Sequence, residues 1–303
     1  MKPDYICIGA QKAGTTWLHW QFSHHPEFSV LPIKELHYFD RDPHYSSLNT
    51  LSETRLVTRL KKKEWRKRCI QDIAGSLRAR DLRRARWWAR YHLANYSDRW
   101  YSSLFDLEPG LTGDMTPSYS MLDEKDVARL HETAPGAKII FMLRNPIDRA
   151  WSMLRYEQRL GIALDNSDFE GFRQRVDSPH QELRSDYLRT IELYKKYFDA
   201  KNILIGFYSA VSQDPRGLLR AIYEHLGVAD TGFHHAVGEK VNHSKPQDCP
   251  GRFRNYLVQK YKKDIERISK RYGSYTDLWL RSLDGTGAAR ANTTAPLPPV
   301  IHP

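Results

Sequence analysis

The hydrophobic positions of the chain fall into short apolar runs that are separated by longer segments of helical period. Residues 138–143 form the clearest apolar run and residues 5–8 form another, as expected of strands buried on both faces of a sheet. Shorter stretches at 28–31, 111–116 and 202–207 indicate further strands. Strands that alternate with helices in this way predict a largely parallel central sheet with helices on both faces.

Helical patterns occupy most of the chain between these runs. The first helix is expected to stop before Pro26, because the residue that precedes a proline disfavours the helical conformation. No repeat or linker divides residues 1–283, which we interpret as a single α/β domain, whereas residues 284–303, rich in Gly, Ala, Thr and Pro, predict a disordered tail. Helices are predicted at 15–24, 50–95, 123–133, 146–160, 184–198, 215–226 and 250–272.

Positive charge is concentrated in one part of the chain. Residues 59–90 contain thirteen Lys and Arg residues against three Asp and Glu residues, so this stretch carries +10 of the net charge of +11. Trp65, Trp87 and Trp88 lie in the same stretch. Such a run binds nucleic acid, acidic lipid or an anionic substrate, or it forms the solvated face of a helix. We interpret residues 59–95 as a basic helical insertion.

The three cysteines, Cys7, Cys69 and Cys249, show no Cys-x-x-Cys spacing. This pattern argues against a disulfide framework or a cysteine zinc site and favours a reducing compartment. The first strand begins too early for a signal peptide, and no apolar run reaches the roughly 18 residues of a membrane helix. We therefore expect a soluble, cytoplasmic protein.

The turn after residues 5–8 has the form of an anion-binding loop. Gly9 and Gly14 keep the glycine spacing of a nucleotide-binding P-loop, and a helix follows at Thr15. A kinase-type P-loop needs lysine directly after the second glycine, but here the lysine is Lys12. The loop therefore lacks the kinase arrangement. A glycine-containing turn without a ligand is the alternative.

A second polar stretch follows the apolar run 138–143. In an ordinary P-loop enzyme that strand ends in a metal-binding aspartate, whereas here it ends in Arg144. Asn145 suits a helix N-cap and Pro146 the first helical position, which places Ser152 two turns along the helix. An arginine with a nearby hydroxyl is a suitable receiver for a second phosphate.

Both stretches resemble one enzyme family. Residues 11–18, Gln-Lys-Ala-Gly-Thr-Thr-Trp-Leu, resemble the 5′-phosphosulfate loop of sulfotransferases that use 3′-phosphoadenosine 5′-phosphosulfate (PAPS). Residues 144–152 resemble the element of that family in which an arginine and a serine bind the 3′-phosphate. The resemblance extends over about residues 4–280 and implies a P-loop-like fold. The nucleotide-binding residues that it implies are Gln11, Lys12, Ala13, Gly14, Thr15, Thr16, Trp17, Arg144 and Ser152, with Lys240 and Asn242 in a loop that closes over the nucleotide.

Residues 34–40, Lys-Glu-Leu-His-Tyr-Phe-Asp, resemble a segment of the heparan-sulfate-type branch and related bacterial sulfotransferases. The resemblance implies that Glu35 is the general base, that His37 supports it and that Lys12 takes part in catalysis. A packed loop histidine is the alternative for His37. The chain departs from the family at Asp114 and Met115, which stand where glutamate and lysine are common.

These patterns predict a PAPS-dependent sulfotransferase that acts by in-line transfer, needs no metal and releases 3′-phosphoadenosine 5′-phosphate. A carbohydrate acceptor is favoured, other natural-product hydroxyls stay open, and the basic insertion is placed on the acceptor side. No nucleic-acid partner is expected. The alternatives are a P-loop nucleotide phosphotransferase or kinase, and a non-catalytic polyanion-binding protein that uses the basic stretch.

Overall fold

A five-stranded sheet forms the centre of the molecule. The computed structural model describes residues 1–47, 50–106, 109–162, 168–229, 237, 248–284 and 297–303. In chain order the strands are β1 (Tyr5–Gly9), β2 (Gly113–Met115), β3 (Lys138–Leu143), β4 (Ile203–Phe207) and β5 (Val300–Ile301). Their spatial order is β2-β1-β3-β4-β5, with the first four parallel and β5 antiparallel to β4. This sheet confirms the predicted fold class.

Helices cover the sheet on both faces. Residues 117–121, 200–202 and 282–284 form short 3₁₀ turns. No helix in the described part of the chain is long and apolar enough to cross a membrane. The helices are α1 (Thr15–Ser23), α2 (Leu56–Leu60), α3 (Lys63–Arg78), α4 (Leu82–His92), α5 (Asp98–Ser103), α6 (Glu124–Thr133), α7 (Pro146–Arg159), α8 (Phe169–Val176), α9 (Pro179–Leu183), α10 (Tyr187–Lys195), α11 (Ala210–Gln213), α12 (Pro215–Leu226), α13 (Gly251–Tyr272) and α14 (Tyr275–Arg281).

Two predicted segments differ from the structure. The strand expected at 28–31 is wrong, because only an isolated bridge between Phe28 and Leu111 forms before the chain reaches Pro32, which has no N–H for a ladder. The tail was expected to be disordered, but residues 300–301 pair with β4. Residues 285–296 of that tail lie outside the described residues.

The order of the strands determines where a ligand site can form. The chain leaves β1 for β2 on one side of it and reaches β3 on the other side. The connections therefore diverge at the carboxyl end of β1, and such a switch point opens a crevice between neighbouring loops. Backbone pairing continues to this edge, where the Ala10 N–H donates to the Met142 carbonyl at 2.7 Å. The loops that follow β1 and β3 thus lie side by side.

Helices α3 and α4 form a hairpin that contains most of the basic stretch. Eleven of its thirteen cations are exposed, whereas Arg59 is buried and Arg90 is half-buried. Two of the three tryptophans of this stretch pack inward: Trp87 and Trp88 are only 3% and 8% exposed, whereas Trp65 is half-buried. Trp87 and Trp88 belong to the hydrophobic core, and Trp87 also lines a second cavity, of about 460 Å³, together with Arg83 and Arg84.

Candidate active site

The loop between β1 and α1 has the shape of an anion cradle. Gly14 has φ +91°, and a Cβ atom there would come 2.9 Å from the ring of Tyr208, so only glycine fits. Gly14 is also the N-cap of α1, and no side chain caps the first amides of this helix. Uncapped N–H groups at a helix N-terminus attract anions. The start of α1 therefore has uncapped backbone donors at the loop, and the binding of an anion there stays a prediction.

A cavity of about 410 Å³ opens over this loop. It joins the carboxyl ends of β1 and β3 and reaches the loop that contains Glu35. Both cationic and aromatic side chains contribute to its wall, which suits a ligand with charged groups and a planar base. The lining residues are Gln11, Lys12, Gly14, Thr15, Thr16, Trp17, Glu35, Pro117, Arg144, Ser152, Met153, Tyr156, Tyr208 and Val211.

Arg144 connects the two predicted phosphate sites. Its Nη1 donates a hydrogen bond of 3.0 Å to the carbonyl oxygen of Lys12. Its guanidinium lies 4.5 Å from the centre of the Tyr208 ring, and its own carbonyl accepts a hydrogen bond of 2.7 Å from Tyr187. An arginine held in this way keeps its planar face and its direction fixed before a ligand arrives.

Lys12 lies among other cations at the mouth of the cavity. Its Nζ is 4.5 Å from the centre of the Tyr156 ring. Burial, with the positive charges of Arg159, Arg144 and Arg155, lowers the pKa of Lys12 to about 8. The repulsion among these cations disfavours the charged form of Lys12. An anion that enters the cavity relieves this repulsion, which makes its binding more favourable.

Glu35 and His37 form a chain of charges with Asp40. His37 Nδ1 lies 2.8 Å from an Asp40 oxygen, and His37 Nε2 lies 3.3 Å from Glu35 Oε2, an ion-pair distance without hydrogen-bond alignment. Burial disfavours the charged imidazole, but the two carboxylates outweigh it and raise the pKa of His37 to about 10. Likewise burial alone would raise the pKa of Glu35, yet His37 and Lys34 lower it to about 2. At neutral pH Glu35 is therefore a carboxylate and His37 an imidazolium.

The backbone around these residues is unusual. Among the described residues other than glycine, five have a positive φ, and three of them are the predicted catalytic residues: Lys12 (68°), Glu35 (71°) and His37 (54°). Left-handed backbone costs a side-chain-bearing residue about 1–2 kcal/mol. Such strain persists where the surrounding contacts fix it, and it is common at functional sites.

Asp114 anchors the loop that contains Glu35 and His37. Tyr119 donates a 2.8 Å hydrogen bond to the buried Asp114 carboxylate, and the same Tyr119 hydroxyl accepts the N–H of Tyr38 at 3.0 Å. Burial raises the pKa of Asp114 to about 6, while the hydrogen bonds of Thr116, Tyr119 and Tyr101 oppose that rise. Asp114, which stands where glutamate is common in the family, thus keeps a carboxylate that has a structural role.

The sulfotransferase family model matches residues 3–232 of the chain. This chain belongs to the sulfotransferase family. Human heparan sulfate glucosamine 3-O-sulfotransferase 6 is 28% identical over 137 residues, which are 43% of this chain and 39% of that protein. The match therefore spans well under half of the length of that relative.

Solved sulfotransferase structures have the same fold. A sulfotransferase from Alicyclobacillus acidocaldarius superposes with a TM-score of 0.61 at 19% identity, over 89% of this chain and 95% of that one. The sulfotransferase domain from the curacin biosynthetic pathway gives 0.50 at 14% identity, over 86% and 98%. At these identities the likeness concerns the fold alone.

Not every predicted residue of this sulfotransferase lines the cavity. His37 is 3% exposed and is not among the lining residues, but its Nε2 lies 3.3 Å from Oε2 of Glu35, which lines the cavity. The side chain of Ala13 is fully buried, which leaves only its backbone for binding. Lys240 and Asn242 lie outside the described residues. Within the residues that the structure describes, no group of three or more His, Cys, Asp or Glu could hold a metal ion.

Several residues of the sulfotransferase site were not predicted from the sequence. Tyr156 lies one helical turn beyond Ser152 on α7, a spacing that places both on one face, so helical periodicity could have identified it. Tyr208 follows β4, and nothing in its local pattern connects it with Gly14. Asp40 and Lys34 flank the pair already predicted, but their ion pairs depend on the path of the loop.

Proposed function

We propose that this protein transfers the sulfuryl group of PAPS to an acceptor hydroxyl, with a carbohydrate as the favoured acceptor. The observation that supports this most is the shared cavity. Its lining includes Lys12 and Thr15 of the cradle, Arg144 and Ser152 from the segment after β3, and Glu35. Anion-binding groups from two different loops fit a nucleotide with phosphate at both the 3′ and the 5′ position.

The residues of the cavity fit the charge that moves during transfer. As the new bond between sulfur and the acceptor oxygen forms, the bond between sulfur and the oxygen of the 5′-phosphate breaks, and negative charge grows on that phosphate. Lys12, Thr15, Thr16 and the amides at the start of α1 stabilise this charge. Arg144 and Ser152 hold the 3′-phosphate and fix the direction of approach.

Glu35 is the general base in this proposal. It is ionised at neutral pH because its pKa is lowered to about 2, so it accepts the hydroxyl proton as the acceptor oxygen attacks. His37, fixed by Asp40, holds the Glu35 side chain in place. The same ion pairs weaken Glu35 as a base, and an acceptor that displaces Lys34 from it would strengthen it.

The acceptor class rests on two likenesses. Residues 34–40 match the heparan-sulfate-type segment, and the human relative is by name a heparan sulfate sulfotransferase. The cytoplasmic location, the absence of a metal requirement and the absence of a nucleic-acid partner belong to the same proposal.

The test is incubation of the protein with PAPS labelled in the sulfuryl group and a panel of carbohydrate, phenolic and alcohol acceptors. Mass spectrometry should detect the gain of one SO₃ group on a carbohydrate hydroxyl. The Lys12→Ala variant is the control and should lose transfer. Transfer only to phenols would overturn the carbohydrate acceptor, and phosphorylated products from ATP would overturn sulfuryl transfer itself.

A further inference from the structure

The tip of the α3–α4 hairpin exposes apolar and cationic side chains together. This tip, residues 77–84, contains Leu77 and Leu82, which are 50% and 68% exposed. Arg78, Arg80 and Arg84 around them are exposed as well. Of the eleven large apolar side chains exposed in the described part of the chain, six lie between residues 57 and 93. Exposed aliphatic residues are thus concentrated where the positive charge is concentrated.

Hydrogen bonds define the turn between α3 and α4. The N–H of Arg80 donates to the Leu77 carbonyl at 3.0 Å, and the N–H of Asp81 donates to the Ser76 carbonyl at 2.9 Å. The Asp81 carboxylate accepts the N–H of Arg84 at 2.8 Å and caps α4. The one acidic side chain of the tip is therefore engaged by the backbone.

The exposed surface continues along α3. Lys63, Ile70 and Leu77 are seven residues apart, and Lys67 is three residues before Ile70, so all four project from one side of the helix. Ile70 is 66% exposed, and both lysines are exposed. The buried residues of α3, Cys69 and Ser76, directly precede Ile70 and Leu77 and lie about 100° around the helix from them. The face is therefore both apolar and basic.

The chemistry of this surface distinguishes between its partners. Nucleic acids and sulfated carbohydrates attract arginine and lysine, but they give no hydrophobic gain to leucine and isoleucine. Nucleic-acid bases also stack on exposed aromatic rings, and the tip, residues 77–84, contains no aromatic residue. Anionic lipid supplies both interactions, because its headgroups attract cations and its acyl region takes up aliphatic side chains.

We propose that the hairpin tip and the exposed side of α3 dock on a bilayer surface that is rich in anionic lipid. Leu77 and Leu82 enter the boundary between headgroups and acyl chains. The arginines around them pair with lipid phosphates. This attachment is peripheral and is independent of the reaction proposed above.

The test measures binding of the full chain to sedimented vesicles. One set contains phosphatidylcholine alone and the other equal parts of phosphatidylcholine and phosphatidylglycerol. An apolar variant (Leu77→Gln with Leu82→Gln) and a charge variant (Arg78→Gln, Arg80→Gln and Arg84→Gln) are compared with wild type. The matched control replaces Leu160 and Ile162 with glutamine, since these are 58% and 44% exposed outside the hairpin.

Wild type should bind the anionic vesicles and not the neutral ones. The partition coefficient should fall about tenfold or more in the apolar variant and about 100-fold in the charge variant, while the control stays within about twofold. Binding to immobilised heparin and to duplex DNA is measured in parallel, and thermal unfolding verifies that each variant is folded.

Two outcomes would overturn the proposal. The first is that wild type fails to bind anionic vesicles. The second is that the apolar variant binds vesicles as wild type does, while the charge variant loses binding to vesicles, to heparin and to DNA alike. In that case the surface is a polyanion site and the leucines have no part in binding.

Discussion

Three residues that the site depends on share a left-handed backbone: Lys12, Glu35 and His37. None is a glycine, so each conformation is imposed by neighbouring contacts rather than by local preference. Arg144 binds the carbonyl of Lys12, and Asp40 binds the ring of His37. The free energy that these contacts supply fixes the side chains before any ligand binds, which lowers the entropy that binding must remove.

The roles of Arg144 and Ser152 can be separated by the choice of nucleotide. Arg144→Ala should weaken binding of 3′-phosphoadenosine 5′-phosphate roughly 10- to 150-fold, because a charge-assisted hydrogen bond contributes about 1.5–3 kcal/mol. Ser152→Ala should act in the same direction with a smaller effect. Adenosine 5′-phosphosulfate, which lacks the 3′-phosphate, serves as the control ligand in calorimetry. Equal weakening of both ligands would contradict the assignment.

Lys12 should change its protonation when the nucleotide binds. Its pKa is lowered to about 8 in the free protein, and a bound phosphate raises it again. At pH 8 binding should therefore take up about half a proton, and affinity should fall as the pH rises above 8. Calorimetry in buffers of different ionisation enthalpy measures the uptake. The Lys12→Arg variant, charged throughout this range, should show none, and an uptake that survives in it would assign the proton to another group.

Glu35 is tested by an isosteric change. Glu35→Gln should lower kcat about 10²- to 10⁴-fold, because the base is lost, while the Kd for the nucleotide stays near that of wild type. Asp40→Asn is the companion variant. It leaves Glu35 in place but loosens His37, so it should lower kcat by less. Near-normal turnover of Glu35→Gln at neutral pH would exclude Glu35 as the base.

The β1–α1 element owes its geometry to a contact between distant parts of the chain. Gly14 and Tyr208 are far apart in sequence, yet the ring leaves no room for a methyl group at residue 14. Most of the fold could be predicted from local signals, since the apolar runs of β1, β3 and β4 and the periodicity of α7, α12 and α13 lie within the chain itself. The cradle motif was likewise visible. What the sequence could not provide is the packing of Tyr208 on Arg144 and Gly14, because that depends on how β4 lies beside β3.

A pair of glycine substitutions tests this element. Gly14→Ala should destabilise the fold by about 2 kcal/mol or more, since it combines a left-handed backbone with a contact of 2.9 Å, and nucleotide binding should be lost with it. Gly75→Ala on α3 has nothing within 4 Å of its Cβ and should stabilise the protein by about 0.5–1 kcal/mol. Denaturant unfolding measures both. Equal stability of the two variants would show that the Tyr208 ring moves aside.

At the scale of the whole molecule, the C-terminal residues of the chain add a strand to the central sheet. Residues 300–301 pair with β4, the N–H of Phe207 donates to the Pro299 carbonyl at 3.2 Å, and His302 Nδ1 lies 2.8 Å from the Ile203 carbonyl. The composition of residues 284–303 predicted disorder because Gly, Ala, Thr and Pro dominate it. The three residues Val300, Ile301 and His302 were too short a signal to predict a strand, and the open edge of β4 that receives them is visible only in the folded molecule.

Deleting residues 297–303 tests the contribution of this C-terminal strand. The variant should lose about 2–4 kcal/mol of unfolding free energy, through hydrogen bonds and partly buried apolar surface. It should also associate at high concentration, because the exposed edge of β4 can pair with another chain. Denaturant unfolding and light scattering measure the two effects. Unchanged stability together with a monomeric variant would mean that this strand contributes nothing to the fold.

The hydrogen bond from Arg144 to the Lys12 carbonyl has a consequence for selectivity. It joins the ends of β1 and β3 and holds the guanidinium of Arg144 beside the backbone of Lys12, so under the proposed function the fold fixes the separation between the 3′- and 5′-phosphate sites. A molecule whose two anionic groups match that separation meets both positions at once. A molecule with the same charge gathered in one phosphate chain would occupy only the 5′-phosphate site. Under the proposed function, selectivity between nucleotides would then depend on the distance between their charged groups as well as on the number of charges.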